Sequence, residues 1–509
     1  MKANKTDRSA SWREDLRKAL SAKERTSIPR VRMTQLDPEY RIHNNEEVNQ
    51  GLTLDEAVAE ATRCLDCPTP TCVEGCPVGI DIPGFIKNIQ RGDIGMAAAI
   101  LGRTSALPAV CGRVCPQERQ CESRCIYNKM KKEPVAIGYL ERFAADTART
   151  KHLSSEEPAA APNGIKVAVV GSGPAGLSFA GDMSLRGFEV HVFEALHEIG
   201  GVLKYGIPAF RLPNAVVDAE LENLERRGVH FHTDTVVGKT YSYDDILEMG
   251  FKGLFVASGA GLPRFMGIPG ENLIGVMSSN EYLTRINLMG AGTPGYDTPA
   301  PKSKRVAVIG GGNTAMDSVR TARRMGAEAM IIYRRGEAEM PARAEEVLHA
   351  KEEGVKFMTL YNPVEYKGDE KGRVKSVIVQ RMELGEPDAS GRRSPVPVDG
   401  AIEEIPVDLV IVSVGVSPNP LIPSSIEGLE VSKRGTVTVN ETLRTSIPTI
   451  YAGGDIVRGG ATVILAMGDG RQAAASMATK LLTDECSEAE SYHNIGDRSV
   501  GMFFVGSRR

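Results

Sequence analysis

The apolar and polar positions of the chain form two similar blocks, each with a short apolar run, a glycine-rich turn, a helical pattern and a second apolar run. In the first block, Lys166–Val170 predicts a buried strand, Leu177–Leu185 a helix and Glu189–Phe193 a second strand. Strands that alternate with helices indicate a parallel sheet. We therefore predict an α/β fold.

The turn of the first block has the spacing G-x-G-x-x-G and predicts a dinucleotide site. Gly171 permits the tight turn, Gly173 lets the backbone approach a pyrophosphate, and Gly176 lets helix and strand pack closely. The helix N-terminus adds unpaired N–H groups and a positive dipole. Glu194 lies 23 positions after Gly171, where a carboxylate accepts from a ribose hydroxyl. The alternative is an ordinary strand–helix turn without a ligand.

The second block repeats this pattern with a different ending. We predict a strand over 304–310, a helix over Met316–Met325 and a strand over Ala329–Tyr333, around a G-x-G-x-x-A turn. The fold prediction is thus two nested Rossmann-like nucleotide-binding domains. No other repeat is visible in the sequence.

The ending of the second block predicts the nucleotide that it binds. Counting 23 positions from Gly310 reaches Tyr333, and the next two residues are Arg334 and Arg335. An acid would repel a 2′-phosphate, whereas arginine pairs with it bidentately. This site therefore predicts NADP(H), the alternative being two solvated surface arginines.

Eight of the nine cysteines fall into two blocks that predict iron–sulfur ligation. The first block is Cys64-x2-Cys67-x4-Cys72-x3-Cys76-Pro, and the second is Cys111-x3-Cys115-Pro-x5-Cys121-x3-Cys125. Cysteine runs that end in Cys-Pro are typical of two-cluster ferredoxins, and two [4Fe–4S] clusters need about eight ligands. Zinc or buried thiols are the alternatives. Cys486 stands alone and is interpreted as a plain thiol.

Composition narrows the function further. The chain of 509 residues has a net charge of −4, which favours neither nucleic acid nor a membrane surface as a partner. It contains no apolar run of the roughly 18 residues needed to span a bilayer, and its N-terminus lacks the apolar core of a secretory signal. We expect a cytoplasmic location, in which cysteines stay reduced.

The same patterns suggest domain boundaries. We expect an N-terminal arm, mobile or with a short surface helix, a helical cluster-binding domain, a linker, the first part of the FAD domain, the NADPH domain, and the second FAD part with a tail. In that order the segments are 1–30, 31–153, 154–164, 165–300, 301–445 and 446–509.

Smaller elements are expected within these segments. Thr53 and Glu56 form a capping box that opens a helix. The glycine-dense stretch 200–208 is predicted to be irregular, and 362–408 to be an antiparallel meander. Further helices are expected over 82–92, 94–101, 134–150 and 461–476, and further strands over 253–261, 408–414 and 449–455.

Several motifs together resemble one known family. They are GSGPAG with Glu194, GGVLKYGIPAFRLP at 200–213, GGGNTAMD at 310–317, EMPAR at 339–343 and AGGD at 452–455. The chain resembles the small (β) subunit of NADPH-dependent glutamate synthase over roughly residues 30–480. Also similar are the large subunit of the electron-bifurcating, NADH-dependent reduced ferredoxin:NADP oxidoreductase and the N-terminal half of dihydropyrimidine dehydrogenase.

This resemblance implies cofactors and the residues that hold them. FAD would be bound by Gly171, Ser172, Gly173, Pro174, Ala175, Gly176, Glu194, Gly201, Leu203, Gly454, Asp455, Thr462 and Val463. NADPH would be bound by Gly310, Gly311, Gly312, Asn313, Thr314, Arg334 and Arg335. The flavin carries out hydride transfer, so no catalytic side chain is expected.

The resemblance also implies two [4Fe–4S] ligand sets. One set is Cys64, Cys67, Cys72 and Cys125, and the other is Cys76, Cys115, Cys121 and a non-cysteine ligand at Glu141. Cysteine counting alone would use Cys111 instead of Glu141. We favour Glu141, the alternative being an exposed helical acid paired with arginine.

The family implies an electron-input subunit that passes electrons from NADPH to FAD, to the clusters and then to a partner. That partner would be the large FMN-containing amidotransferase subunit, which makes glutamate from glutamine and 2-oxoglutarate, or another electron-accepting subunit in a hetero-oligomer. Residues 28–48 and 107–125 also resemble the bifurcating enzyme, which is the first alternative. A non-catalytic interaction scaffold that holds zinc is the second.

Overall fold

The computed structural model describes residues 7–153, 160–301, 303–389 and 391–500, with side chains described as far as residue 483. Residues 154–159 of the expected linker and the side chain of Cys486 lie outside this part.

The N-terminal third of the chain is helical, as predicted. The capping box is confirmed, since the Thr53 hydroxyl accepts from the Glu56 backbone N–H and the Glu56 carboxylate accepts from that of Thr53. The helices are α1 Ser11–Ala19, α2 Ala22–Ser27, α3 Pro38–Arg41, α4 Leu54–Arg63, α5 Thr71–Glu74, α6 Ile82–Gln90, α7 Ile94–Gly102, α8 Pro108–Val114 and α9 Ile137–Thr150. The predicted helices over 82–92, 94–101 and 134–150 are therefore confirmed, with small shifts at their ends.

For residues 1–30 the structure favours the short surface helix over the mobile arm in the part that it describes. Helices α1 and α2 pack on the helical region, and Arg13 and Arg25 are only 2% and 3% exposed. The Asp66 carboxylate, between two cysteines, accepts from Arg13 at 2.6 Å and from Arg17 at 2.7 Å. Burial of this carboxylate requires the arginines, and the arginines hold α1 in place.

The rest of the chain alternates strands with helices. The strands are β1 Lys166–Val170, β2 Glu189–Phe193, β3 Val229–His232, β4 Phe251–Val256, β5 Leu262–Pro263, β6 Val276–Ser278, β7 Arg305–Ile309, β8 Glu328–Tyr333, β9 Lys356–Thr359, β10 Tyr361–Gly368, β11 Val374–Pro387, β12 Arg393–Pro406, β13 Leu409–Val412, β14 Val416–Ser417 and β15 Ile450–Ala452. The helices are α10 Pro174–Leu185, α11 Val202–Tyr205, α12 Asn214–Arg226, α13 Tyr243–Glu248, α14 Ser279–Leu283, α15 Asn313–Arg324, α16 Ala344–Glu352, α17 Leu421–Ser425, α18 Asp455–Arg458 and α19 Val463–Val500.

Two parallel sheets of five strands confirm the nested arrangement. The first has the order β15-β4-β1-β2-β3 and the second β6-β13-β7-β8-β9. Because the second sheet is built from chain between β4 and β15, its domain is an insertion in the first. The predicted meander is confirmed as the antiparallel sheet β10-β11-β12.

Three local predictions need correction. Stretch 200–208 is not wholly irregular, because the strained turn ends at Gly201, with a φ of +54°, and helix α11 follows without a helix breaker. Helix α19 continues well beyond the predicted end at 476. The strand predicted over 253–261 is shorter than expected and ends at Val256.

Buried ion pairs join the helical region to the second nucleotide domain. Arg41 contacts Glu353 at 2.9 Å, and Arg320 contacts the same carboxylate at 2.8 Å. His349 lies beside them and is 1% exposed. Burial, together with the nearby Arg320 charge, lowers the pKa of His349 to about 3. The imidazole is therefore neutral at physiological pH.

Candidate cofactor sites

Three glycines shape the turn between β1 and α10. Gly171 has a φ of +98°, and a Cβ there would lie 2.6 Å from the Ala257 carbonyl oxygen. A Cβ on Gly176 would lie 2.0 Å from the Gly171 carbonyl oxygen, so only glycine allows α10 this close to β1. A Cβ on Gly173 would meet no atom within 4 Å. Its backbone thus borders open space that fits a pyrophosphate.

Glu194 ends β2 beside this turn. Its carboxylate accepts from the Ser172 backbone N–H at 2.9 Å and from the Ser172 hydroxyl at 2.6 Å. The same hydroxyl accepts from the Gly200 N–H at 2.9 Å. These bonds hold the second glycine turn against the first, and a Cβ on Gly201 would lie 3.0 Å from the Gly173 Cα.

The end of the first sheet completes this site from the far end of the sequence. Gly454 has a φ of +76°, and a Cβ there would lie 2.9 Å from the Ala175 Cβ. Its N–H donates to Asp469 at 2.9 Å, and Arg458 contacts the same carboxylate at 2.6 Å. Burial raises the pKa of Asp455 to about 6. Asp469 was not predicted as a site residue; its only signal is an acid among small residues of a helix.

The remaining predicted flavin residues lie around this turn and at the start of α19. Pro174 is the first residue of α10, where its missing N–H costs no helical hydrogen bond. Leu203 is fully buried in α11. The Thr462 hydroxyl accepts from Leu465 N–H at 3.4 Å, and Val463 begins α19.

The second glycine turn, between β7 and α15, borders a cavity of about 600 Å³. Gly310 has a φ of +137°, and a Cβ there would lie 2.3 Å from the Ser413 carbonyl oxygen. A Cβ on Gly311 would lie 2.9 Å from the Tyr333 ring, whereas one on Gly312 would meet nothing within 4 Å. Gly312, which corresponds to Gly173 in the motif, therefore faces open space as Gly173 does. All three glycines and Thr314 line the cavity.

The structure separates the other predicted residues of this site. Arg334 is exposed, lines the cavity and makes no hydrogen bond or ion pair among the described residues. Arg335 is 7% exposed and points elsewhere, because its guanidinium donates to Asp388 and to the Arg393 carbonyl oxygen. The expectation of two guanidiniums at the phosphate is thus corrected to one. Asn313 caps the next loop by accepting from the Arg343 N–H at 2.9 Å.

Sequence reasoning missed part of the cavity lining. Arg264, Phe265 and Asn280 line the cavity opposite the glycine turn. Arg264 donates to the Ser417 hydroxyl at 2.8 Å. Arg264 and Phe265 follow β5 and Asn280 lies in α14, where no motif marks them.

Four cysteines form one group at the edge of the helical region. Cys64, Cys67, Cys72 and Cys125 are all half-buried. Burial raises the pKa of Cys67 to about 11, and the nearby Cys64 and Cys125 thiolates add to this effect. Burial also raises the pKa of Cys72, and the same two neighbours add to this effect. Thiolates that repel one another in this way are the ligands that a positively charged metal centre stabilises.

Cys76, Cys115 and Cys121 form a second group. Burial raises the pKa of Cys76 to about 11, and Glu141 and Cys111 are among its charged neighbours. Cys121 and Cys115 are buried. A hydrogen bond to Cys111 is the largest cause that raises the pKa of Cys115, burial is the largest for Cys121, and the nearby Glu141 charge adds to both. The cysteines thus form two groups, and both Glu141 and Cys111 lie beside the second.

Glu141 is not an exposed helical acid. It is 5% exposed, and its Oε1 has no hydrogen-bond partner among the described residues. Burial, and then the Glu220 charge, raise the pKa of Glu141 to about 8. An orphaned buried carboxylate oxygen costs free energy unless a proton or metal compensates it. The Cys111 thiol hydrogen-bonds Cys115 and also lies 3.4 Å from the Met467 sulfur, so Cys111 too lies beside this group.

The cysteine spacing fits clusters better than single zinc ions. Among the described residues, no three cysteine sulfurs lie within 4.8 Å of one another. Tetrahedral zinc with Zn–S bonds of about 2.3 Å would hold its sulfurs about 3.8 Å apart. A cubane spreads its ligands more widely, so the geometry favours [4Fe–4S].

Helix α19 connects the cysteine region to the first glycine turn. A Cβ on Gly470 would lie 2.2 Å from the Ala175 carbonyl oxygen, and one on Gly468 would lie 3.1 Å from the carbonyl oxygen of Pro77. Small residues therefore let α19 touch both α10 and the loop that follows Cys76. The second cysteine group is adjacent to the flavin-type site.

Comparisons with known proteins agree with this layout. A profile described as dihydropyrimidine dehydrogenase domain II, 4Fe-4S cluster, matches residues 41–153, and one described as pyridine nucleotide-disulphide oxidoreductase matches residues 165–470. The NADPH-dependent glutamate synthase small chain of Halomonas elongata is 38% identical over 84% of this chain and 91% of its own length. The NADP(+)-dependent formate dehydrogenase subunit beta of Moorella thermoacetica is 39% identical over 80% of this chain and 59% of its own length.

The solved structure of Mycobacterium tuberculosis FprA in complex with NADPH shares the fold. It is 21% identical with a TM-score of 0.54, over 65% of this chain and 89% of its own. Fold and site together define an NADPH-dependent flavin oxidoreductase that carries an iron–sulfur domain. The chain belongs to the family of the NADPH-dependent glutamate synthase small chain.

The predicted cofactors FAD, NADPH and [4Fe–4S] are thereby confirmed in kind, and the zinc scaffold is wrong. No cysteine occurs between residues 165 and 470, so a disulfide between cysteines of the matched nucleotide-binding region plays no part. Within the described residues, no helix is both long and apolar enough to cross a membrane.

Proposed function

We propose that the chain is the electron-input subunit of a glutamate synthase, taking electrons from NADPH and delivering them to a larger partner subunit. The contact of α19 with both the first glycine turn and the Cys76 loop carries this proposal. Through this contact, α19 connects the site for a two-electron carrier, the flavin, to the sites for one-electron carriers, the clusters. When bound, FAD accepts hydride from NADPH, and [4Fe–4S] clusters carry single electrons.

The chain's own residues bind and orient these groups. The Gly173 backbone would contact the FAD pyrophosphate, Glu194 would accept from the ribose, and Asp455 and the start of α19 would hold the ribityl chain and the flavin ring. Around the larger cavity, Gly312 takes the corresponding place for NADPH. Arg334 pairs with its 2′-phosphate, since Arg334 is exposed there without a partner among the described residues.

Two [4Fe–4S] clusters are assigned by ligand set. Cys64, Cys67, Cys72 and Cys125 hold one, and Cys76, Cys115, Cys121 and Glu141 hold the other. Cys115, Cys121 and Glu141 of the second set are buried, and the loop after Cys76 touches α19, whereas Cys76 and the four cysteines of the first set are half-buried. This order leads outward from the flavin site toward a partner.

The family supports a proposal for the partner and the location. Small chains imply a larger FMN-containing subunit that makes glutamate from glutamine and 2-oxoglutarate, and a hetero-oligomer in the cytoplasm. The domain division proposed from the sequence is retained, except that the described part of residues 1–30 belongs with the cluster-binding domain.

A different electron acceptor is the second candidate. The similarity to a formate dehydrogenase subunit beta, which is longer than this chain, favours reuse of the same module with other partners. Anaerobic purification from the native cell separates the two. Co-elution of a large FMN-containing subunit with glutamine-dependent NADPH oxidation supports the first, and co-elution of another dehydrogenase subunit contradicts it.

A further inference from the structure

Three histidines and a glutamate share one face of the first sheet, on the strands farthest from β15. Strand alternation places Glu189 and His191 on the same face of β2, and the register pairs His191 with His230 of β3. The intervening residues of both strands, such as Val190 and Val229, are buried against the opposite core. The polar face is thus a separate feature from the nucleotide turn.

The donor atoms of this face converge. One carboxylate oxygen of Glu189 and one ring nitrogen each of His191 and His230 all lie within 4.8 Å of one another. His191 Nε2 lies 3.0 Å from the Glu189 Oε1. Glu189 and His191 are partly exposed, and His230 is exposed, so an ion has access from solvent.

A second contact orients the central ligand. His191 Nδ1 lies 2.9 Å from His232 Nε2, and the two rings stack with centroids 5.1 Å apart. This bond fixes the ring so that Nε2 faces Glu189 and His230. Metal-binding histidines characteristically use their other nitrogen in such an orienting bond.

We propose that Glu189, His191 and His230 form a binding site for a divalent transition-metal ion of the zinc class. Two imidazoles and one carboxylate suit zinc and its neighbours rather than magnesium or calcium, whose ligands are oxygens. Three protein ligands leave a position open for water or an added ligand. The site lies outside the cysteine sets and beyond the proposed electron-input function.

Lys166 competes with the ion. Its Nζ lies 3.3 Å from the same Glu189 oxygen that faces His191. In the absence of an ion the ammonium partly neutralises the carboxylate, and an ion must displace it. Removal of the ammonium in Lys166→Met should therefore tighten ion binding, whereas a merely structural histidine stack would not respond.

The test measures zinc uptake by tag-free, cluster-loaded holoenzyme whose iron and sulfide contents are verified. Equilibrium dialysis against Zn²⁺ with elemental analysis should show one zinc per chain. His230→Ala, at an exposed position, and His191→Ala should weaken binding by more than about 100-fold, and His232→Phe by about 10- to 100-fold. Exposed His43, replaced by alanine, is the matched control and should change nothing.

Flavin and cluster absorbance of each variant reports that the fold is retained. The proposal is overturned if the holoenzyme binds no zinc, or if its zinc affinity is the same in His191→Ala, His230→Ala and His43→Ala. Unchanged affinity in Lys166→Met would contradict the role of the shared carboxylate oxygen. NADPH oxidation is measured separately and does not enter this decision.

Discussion

Alanine at the second and third glycines of the first turn should separate cofactor binding from folding. Gly173 has a φ of −70° and ψ of 178°, which alanine adopts easily, and its added methyl would meet no protein atom within 4 Å. Gly176 is helical, but its methyl would lie 2.0 Å from the Gly171 carbonyl oxygen and 3.2 Å from the Val169 side chain.

The two substitutions should change the stability of the FAD-free fold in opposite directions. At Gly173, replacing glycine at a compatible position stabilises the FAD-free fold by about 0.4–1 kcal/mol. The methyl occupies the place of the pyrophosphate, and loss of one charge-assisted bond at about 1.5–3 kcal/mol weakens FAD about 10- to 150-fold. At Gly176, overpacking costs about 1–3 kcal/mol or more, which exceeds the gain of about 0.5–1 kcal/mol from alanine in a helix.

The assay combines FAD titration, followed by flavin fluorescence quenching, with thermal unfolding of FAD-free protein. Gly173→Ala should keep or raise the unfolding midpoint and lose FAD affinity, whereas Gly176→Ala should lower the midpoint. Gly312→Ala serves as the internal control and should keep FAD while raising KM for NADPH. Wild-type FAD affinity in Gly173→Ala would refute the assignment of this open space to the pyrophosphate.

Three further outcomes are expected. Arg334→Ala should lower kcat/KM for NADPH about 10- to 100-fold with little effect on NADH, whereas Arg335→Ala should act mainly on stability; equal losses with both nucleotides would contradict this. Glu141→Ala should lose the iron and sulfide of one cluster, and Cys111→Ser should retain both clusters in an iron assay; the reverse result would favour ligation by cysteine alone. The pKa of His349 is about 3 in the folded chain and near 6.5 in the unfolded chain, so the free energy of unfolding should decrease as the pH falls below about 6.5, by up to about 1.4 kcal/mol per pH unit. His349→Gln should flatten this decline in a series of thermal-unfolding measurements. A slope equal to that of wild type would show that His349 does not cause the decline.

Local patterns accounted for most of the nucleotide-binding fold. The glycine spacing around Gly171 and Gly310 is a steric requirement of one turn, so it is written within a few neighbouring residues. The capping box of Thr53 is equally local. Such features are legible in sequence because the atoms that impose them are close along the chain.

Contacts between residues that are far apart in the sequence could not be predicted in this way. Asp66 lies 53 positions from Arg13, and no periodicity links a charged N-terminal helix to a cysteine loop. Arg335 follows Arg334 directly, yet a hairpin more than 50 residues later takes its guanidinium away from the cavity. In the sequence Asp469 only interrupts a run of small residues in a helix, and the fold brings it into a hydrogen bond with the Gly454 N–H.

The most direct test of the account is an anaerobic NADPH titration of purified chain, followed by flavin absorbance and low-temperature EPR. We predict that NADPH bleaches the flavin band and that a reduced [4Fe–4S] signal grows in the same samples, while Gly173→Ala protein lacking FAD shows neither. A flavin that stays oxidised with NADPH, or a bleached flavin with no cluster signal at any potential, would contradict electron transfer from NADPH through FAD to iron.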